Sequence, residues 1–126
     1  MKKLFFLLMF ASLLMASGCE KDHDDSQIVC TQEFVYGLHI TVLDAATGLP
    51  LTDGVTVKAT AGSYHENLFL ISGGDNIFVG AGERIGLYTI TVTKDSYQIY
   101  TSSPIAVTAN VCHVNPQSLT VNLQPE

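Results

Sequence analysis

The chain has 126 residues, of which 47% are hydrophobic and only 14% are charged; this leaves room for one globular domain and excludes a disordered or coiled-coil chain. The formal net charge is -6 with only 6 Lys and Arg residues, which excludes a nucleic-acid-binding surface, because such a surface needs clustered cations. The 10 glycines, 4 prolines and absence of tryptophan favour short strands separated by turns.

The amino terminus has the pattern of an export signal. Lys2 and Lys3 supply positive charge, and residues 4–15 form an apolar stretch that only Ser12 interrupts. A membrane-spanning helix needs about 20 apolar residues, so this stretch is too short to remain in a bilayer. We therefore expect it to be removed on export.

The residues after the apolar stretch indicate where the signal ends. Ala16, Ser17 and Gly18 are small and precede Cys19, and this run resembles the lipobox of bacterial lipoproteins, although leucine is more usual at the first position. The resemblance implies a signal peptide over residues 1–18, a diacylglycerol on the thiol of Cys19, and acylation of the new amino terminus by a fatty acid such as palmitate. Several acyl chains anchor a protein nearly permanently. The alternative is an ordinary secretory signal followed by a cysteine.

Residues 19–29 are predicted to form an acidic tether. Residues 20–26 contain no apolar side chain and cannot collapse onto a core. An acidic run at this place resembles a signal for display on the outer face of the outer membrane in some Gram-negative bacteria; the alternative is a plain spacer. We expect a lipid-anchored protein of the bacterial outer membrane, on its surface or its periplasmic face.

Two further cysteines, Cys30 and Cys112, lie in the remaining sequence. Outside the cytoplasm such a pair is expected to be oxidised. Cys30 precedes the first predicted strand and Cys112 precedes the last, and these ends can meet in a compact sandwich. The bridge would close most of the domain into one loop, which the chain-entropy model values at roughly 4 to 5 kcal/mol. Two unpaired thiols, or half of a metal site, are the alternatives.

Alternating apolar and polar residues predict short strands in the rest of the chain. The first run has apolar residues at even positions from Phe34 to Val42, with these side chains buried. A turn containing Gly48 separates it from a second run at residues 55–61. No segment shows helical periodicity over two turns. The other predicted strands lie at residues 64–71, 77–79, 87–93, 97–100, 104–107 and 119–123.

Seven or so strands at spacings of about 8 to 12 residues predict an all-β sandwich, with a barrel as the weaker alternative. Three sequence blocks add to this prediction. Residues 38–59 contain I-T-V-L-D-A-A-T-G-L-P, residues 86–97 contain G-L-Y-T-I-T-V and then a turn ending in Ser96 and Tyr97, and residues 110–113 read N-V-C-H.

In this order the three blocks resemble carboxypeptidase regulatory-like domains, which have a transthyretin-like (prealbumin-like) fold. Ser96 stands where that family usually has glycine. The resemblance covers residues 33–124 and implies a seven-stranded antiparallel Greek-key sandwich over residues 30–126. It also implies a mainly non-catalytic module, used as an accessory, a spacer or an adhesive surface, without carboxypeptidase activity.

The residues that could carry chemistry are scattered. His39, His65 and His113 are the candidates for a small metal-dependent or hydrolytic enzyme, but their spacing matches no ligand motif such as H-E-x-x-H. The hydroxyisourate hydrolases, another transthyretin-like group, need several histidines and arginines and a Tyr-Arg-Gly-Ser type of tail, whereas this chain has only Arg84 and ends in Gln-Pro-Glu. We expect no catalytic residue, no metal and no cofactor.

The sequence therefore favours a non-catalytic, lipid-anchored lipoprotein whose sandwich binds a protein or glycan partner through loops at one end. Its other expected partner is the membrane, through Cys19. Tyr64, Tyr97 and Tyr100 are candidate contact residues because tyrosine suits half-exposed surfaces, and each is at least as well explained as part of the core. The alternatives are the small enzyme described above and a purely structural envelope component.

Overall fold

The computed structural model describes Gly18 and residues 27–126. The predicted signal peptide, the lipidation of Cys19 and most of the tether therefore lie outside the described residues. No helix in the described part is long and apolar enough to cross a membrane. The strands of residues 27–126 are β1 (Tyr36–Asp44), β2 (Thr56–Ala61), β3 (Tyr64–Asn67), β4 (Phe69–Leu70), β5 (Ile77–Gly82), β6 (Gly86–Thr93), β7 (Tyr100–Thr101), β8 (Ile105–Val107) and β9 (Gln117–Leu123).

These strands form two sheets, which confirms the all-β prediction. One sheet has the order β4-β5-β1-β9. The other has the order β3-β2-β6-β7, and β8 pairs with the first residues of β6. Apolar and polar side chains alternate along the strands, so one face of each sheet is mainly apolar. The two apolar faces meet in a single core.

The expected number of seven strands is wrong. Residues 64–71 were expected to form one strand, but they divide into β3, which pairs with β2, and β4, which pairs with β5 in the other sheet. Leu68 lies at this crossing and is 6% exposed. The very short strands β7 and β8 lie at the runs predicted at residues 97–100 and 104–107, and both pair with β6.

The expectation of purely antiparallel pairing is also wrong, because β9 runs parallel to β1 from Leu38–Gln117 to Asp44–Leu123. The reason is the path of the chain. Strand β8 ends with Val107 beside Gly86, at the end of the sandwich where β1 begins. Strand β9 therefore starts at that end too and runs in the same direction as β1.

The two longest strands, β1 and β6, contribute many of the core residues, and both show the predicted alternation of buried and less buried side chains. Leu38, Ile40 and Val42 of β1 are fully buried, as are the alternate residues Tyr88, Ile90 and Val92 of β6. The buried Tyr88 hydroxyl donates a hydrogen bond to the Arg84 carbonyl (3.2 Å), and burial raises the pKa of this tyrosine. The core alternation predicted for these two strands is therefore present.

Phe34 was expected on the buried face of the first strand, and this is wrong. Strand β1 begins at Tyr36, and Phe34 is 60% exposed. Its ring lies on Gly82 of β5, at a place where any β-carbon would collide with it. Ala81 and Glu83 have positive φ values of 51° and 47°, so the β1–β5 ladder ends irregularly and the alternation does not extend back to Phe34.

Candidate functional site

The end of the sandwich where β1 and β9 begin is here called the disulfide end; it consists of residues 27–35, 82–85 and 108–116. Cys30 and Cys112 form a disulfide there, with their Cα atoms 5.2 Å apart, which confirms the predicted pairing. The bridge joins the amino-terminal segment to the loop before β9. Their sequence separation is 82 residues.

Beside the disulfide, a carboxylate holds three segments of the chain together. Glu83 Oε1 accepts hydrogen bonds from the Val35 N–H (2.9 Å) and from His113 Nδ1 (2.7 Å). Glu83 Oε2 accepts one from the Val114 N–H (3.3 Å). His113 Nε2 in turn lies 3.0 Å from the Thr31 hydroxyl. We call Thr31, Glu83 and His113 the clamp.

The electrostatics of the clamp follow from these contacts. Desolvation by burial raises the pKa of Glu83, but the hydrogen bonds from Val35, His113 and Val114 outweigh it, so the pKa lies below its ordinary value. An ionised carboxylate accepts only, so His113 donates its Nδ1 proton to Glu83. In the neutral ring, Nε2 is then left to accept the hydroxyl proton of Thr31.

A hydroxyl, an imidazole and a carboxylate in this order are also the groups of a hydrolytic triad. Catalysis by such a triad requires N–H donors aimed at the developing oxyanion. In the clamp, the nearby N–H groups of Val35 and Val114 are both bonded to the Glu83 carboxylate instead. The hydrogen bonds of the clamp join the amino-terminal segment to residues 82–85 and to the loop before β9.

The structure does not bring His39, His65 and His113 together. His39 lies in the middle of the four-stranded sheet, between Val79 and Ser118. His65 lies on β3, at the edge of the other sheet, and His113 belongs to the clamp. Within residues 27–126, no group of three or more His, Cys, Asp and Glu side chains is placed to hold a metal ion.

The three candidate tyrosines are all partly buried against the core. Tyr64 is covered by the Arg84 guanidinium, whose Cζ lies 3.7 Å from the ring centroid. The Tyr97 hydroxyl donates a 2.6 Å hydrogen bond to Asp44, which lowers the pKa of that carboxyl, and Tyr100 lies in β7 opposite Val92. Their main contacts are thus within the protein.

Two other aromatic side chains, Phe34 and Phe69, are exposed, and both touch the half-buried Tyr36. The Phe34 and Tyr36 rings meet edge to face at 5.1 Å between centroids, and Tyr36 meets Phe69 in the same way at 5.5 Å. Phe34 is 60% exposed and Phe69 52%. We call Phe34, Tyr36 and Phe69 the aromatic ridge; it runs from the disulfide end to β4, the edge strand of the four-stranded sheet.

Sequence reasoning did not find the aromatic ridge, although one signal was available. Leu68, Phe69 and Leu70 are three consecutive apolar residues within the strand predicted at residues 64–71. Neighbouring side chains of an extended chain point to opposite faces, so they cannot all enter the core. Leu68 is buried, and Phe69 and Leu70 are exposed.

A shallow depression of about 360 Å³ lies at the opposite end of the sandwich, lined by Lys94, Tyr97 and Glu126 among others. Two of its polar side chains have partners within the protein. Lys94 Nζ donates to the Asp53 carbonyl (2.6 Å), and Tyr97 is bonded to Asp44. The aromatic ridge is therefore a better candidate for a binding surface than this depression.

Comparison with protein-family models and with curated proteins gives no match. The resemblance to carboxypeptidase regulatory-like domains therefore depends on the three sequence blocks.

Proposed function

We propose that the protein is a non-catalytic, lipid-anchored module of the bacterial cell envelope that binds a protein or glycan partner through the aromatic ridge. The observation that carries the proposal is the exposure of Phe34 and Phe69. Rings in mutual contact form a preorganised apolar surface, and exposed apolar surfaces of this kind mark binding sites. Aromatic residues are also enriched among those that contribute most to binding.

The proposal includes a transthyretin-like Greek-key topology of the carboxypeptidase regulatory-like type. Contact between two of the sequence blocks supports it, because Tyr97 of the second block is hydrogen-bonded to Asp44 of the first. Asp44 Oδ1 also accepts the N–H groups of Ala46 and Thr47, which shapes the turn before Gly48. Ser96 has φ 67°, the left-handed conformation that glycine favours, so the backbone there is compatible with the family's glycine.

The lipid anchor is the part of the proposal that rests on the sequence of residues 16–19. It can be tested with Cys19→Ser in the full-length protein. This variant is expected to leave the detergent-rich phase in a phase-separation experiment, since it lacks the thiol that carries the lipid. A variant that stays in the detergent phase would exclude lipidation at Cys19.

Binding through the aromatic ridge is tested with Phe69→Ser, because Phe69 is exposed and loses little packing. The full-length protein on intact cells is crosslinked and recovered, and its bound proteins and glycans are quantified. Phe69→Ser is expected to lower recovery of the partner by about tenfold, which corresponds to about 1.4 kcal/mol.

Leu87→Ser is the matched control, since Leu87 is 61% exposed on β6 of the other sheet. It is expected to recover the partner like the native protein. Equal losses with Phe69→Ser and Leu87→Ser, or no loss with either, would contradict binding through the ridge.

A further inference from the structure

Three exposed aliphatic side chains lie together at the disulfide end. Val29 is 86% exposed, Val111 74% and Ile28 67%. Val29 and Val111 are the neighbours of Cys30 and Cys112, which are covalently joined, so both side chains stand at the same tip. We call Ile28, Val29 and Val111 the aliphatic tip.

The aliphatic tip is held in place by strong constraints. The disulfide joins its two segments, and the Thr31–His113 hydrogen bond joins them again one residue further along. Glu83 then fastens His113 to the body of the sandwich. Val29 and Val111, which adjoin the bridged cysteines, are therefore held close to each other, and an apolar surface that is already held in place loses little entropy when it is covered.

The charge around the tip is also distinctive. Residues 27–31 and 108–112 contain no Asp, Glu, Lys or Arg, although the chain as a whole has a net charge of -6. An uncharged apolar tip on an acidic protein suits an apolar, electrically neutral surface and does not suit an anionic one.

The tether determines which surface is within reach. Only residues 20–26 separate Cys19 from the first residue of the described domain. Eight Cα–Cα steps span at most about 28 Å even when fully extended. A lipid on Cys19 would thus keep the aliphatic tip close to the membrane and at a high effective concentration there.

We propose that the aliphatic tip inserts into the surface of the membrane that holds the anchor, so that the sandwich stands with its disulfide end on neutral lipid. This inference rests on the proposed lipid anchor. The opposite end, with the turn that contains Leu49, then points away from the bilayer, and the aromatic ridge faces sideways.

The chain contains no tryptophan, so a single introduced tryptophan reports its own surroundings. Val111→Trp places the reporter on the tip. Leu49→Trp is the matched control, because Leu49 is 64% exposed and lies at the opposite end. Full-length lipidated protein is reconstituted into phosphatidylcholine vesicles with or without brominated acyl chains, which quench tryptophan on contact.

Brominated lipid is expected to lower the fluorescence of Val111→Trp by at least twofold and to leave that of Leu49→Trp unchanged. In the Val111→Trp protein, the double change Ile28→Ser and Val29→Ser is expected to remove more than half of the quenching, whereas Leu87→Ser is expected to leave it unchanged. Vesicles containing phosphatidylglycerol are expected to give weaker quenching, because the protein is acidic.

Flotation of the vesicles separates the two proposals. Protein that floats but shows no more quenching of Val111→Trp than of Leu49→Trp would overturn the docking of the tip and leave the anchor standing. A tip that binds a protein and not lipid would give this same result, because these vesicles contain no other protein. Protein that does not float would overturn the anchor and the docking together.

Discussion

Glu83 is the residue on which the disulfide end depends. Its backbone is in the left-handed region, with φ 47°, and its carboxylate bonds Val35, His113 and Val114. All of these contacts join residues that are far apart in the sequence, and no sequence motif predicts them. The disulfide could be predicted from compartment and cysteine number, but the clamp beside it could not.

Glu83→Gln is predicted to reduce stability in a pH-dependent way. The pKa of Glu83 is below its ordinary value of 4.5, so the folded state favours the carboxylate, and its contribution is complete above that pH. As the pH falls through the lowered pKa, the carboxylate is protonated and the contribution is lost. The melting temperatures of native protein and Glu83→Gln should therefore differ at pH 6 to 7 and converge as the pH falls through the lowered pKa of Glu83.

The matched control is Glu33→Gln, since Glu33 is exposed and lies in the amino-terminal segment. This variant should melt with the native pH profile. A constant difference between Glu83→Gln and native protein at every pH would show that the charge of Glu83 does not stabilise the clamp.

Ser96 is a second residue with an unusual backbone, with φ 67°. A non-glycine residue in this region destabilises the folded state by about 1 to 2 kcal/mol. A new glycine stabilises the unfolded state by about 0.4 to 1 kcal/mol, because it increases the conformational entropy of the unfolded chain. Ser96→Gly is therefore predicted to raise the free energy of unfolding by up to about 1 kcal/mol, measured in urea, and Ser96→Ala to give no gain. Lower stability of Ser96→Gly than of native protein would contradict this account.

At the scale of the strands, local alternation predicted β1 and β6 well because both bury one face and expose the other. It failed where the chain changes sheets or ends a ladder. Leu68 marks the crossing between β3 and β4, and the positive φ of Ala81 ends the regular pattern that was extended back to Phe34. The change of sheet and the end of the ladder both depend on which neighbouring strand pairs with the segment. The alternation of apolar residues within one strand does not contain that information.

A pair of changes within β6 tests the alternation energetically. Ile90 is fully buried and Leu87 is 61% exposed. Ile90→Ala is predicted to lower the free energy of unfolding by about 2 to 5 kcal/mol, through lost burial and the cavity left behind. Leu87→Ala is predicted to change it by less than about 0.5 kcal/mol. Urea unfolding with the disulfide intact measures both, and similar losses would mean that β6 does not face the core as described.

At the scale of the whole molecule, the sequence predicted an all-β sandwich with its ends joined by a disulfide, but not the parallel pairing of β1 with β9. Strand pairing is set by contacts between residues far apart in the chain. The aromatic ridge was missed for the same reason, because Phe69 meets Tyr36, 33 residues away in the chain, only after folding.

Reduction of the Cys30–Cys112 bridge is predicted to lower the free energy of unfolding by up to roughly 4 to 5 kcal/mol, since the bridge restricts a long loop of the unfolded chain. That is a large share of the 5 to 15 kcal/mol that is typical of a domain. Urea unfolding of oxidised and reduced protein measures the difference. Equal midpoints, or alkylation of both thiols in the native protein, would contradict the bridge.

Under the proposed lipid anchor, which would hold the protein by its amino end, the parallel pair of β1 and β9 has a mechanical consequence. A pulling force that arrives at Cys30 divides at the disulfide between the segment leading into β1 and the loop leading into β9. Both strands start at that end and run side by side through seven residue pairs, from Leu38–Gln117 to Asp44–Leu123. The load is therefore applied along both strands in the same direction, so β1 and β9 move together and the shear falls on the hydrogen bonds between β1 and β5.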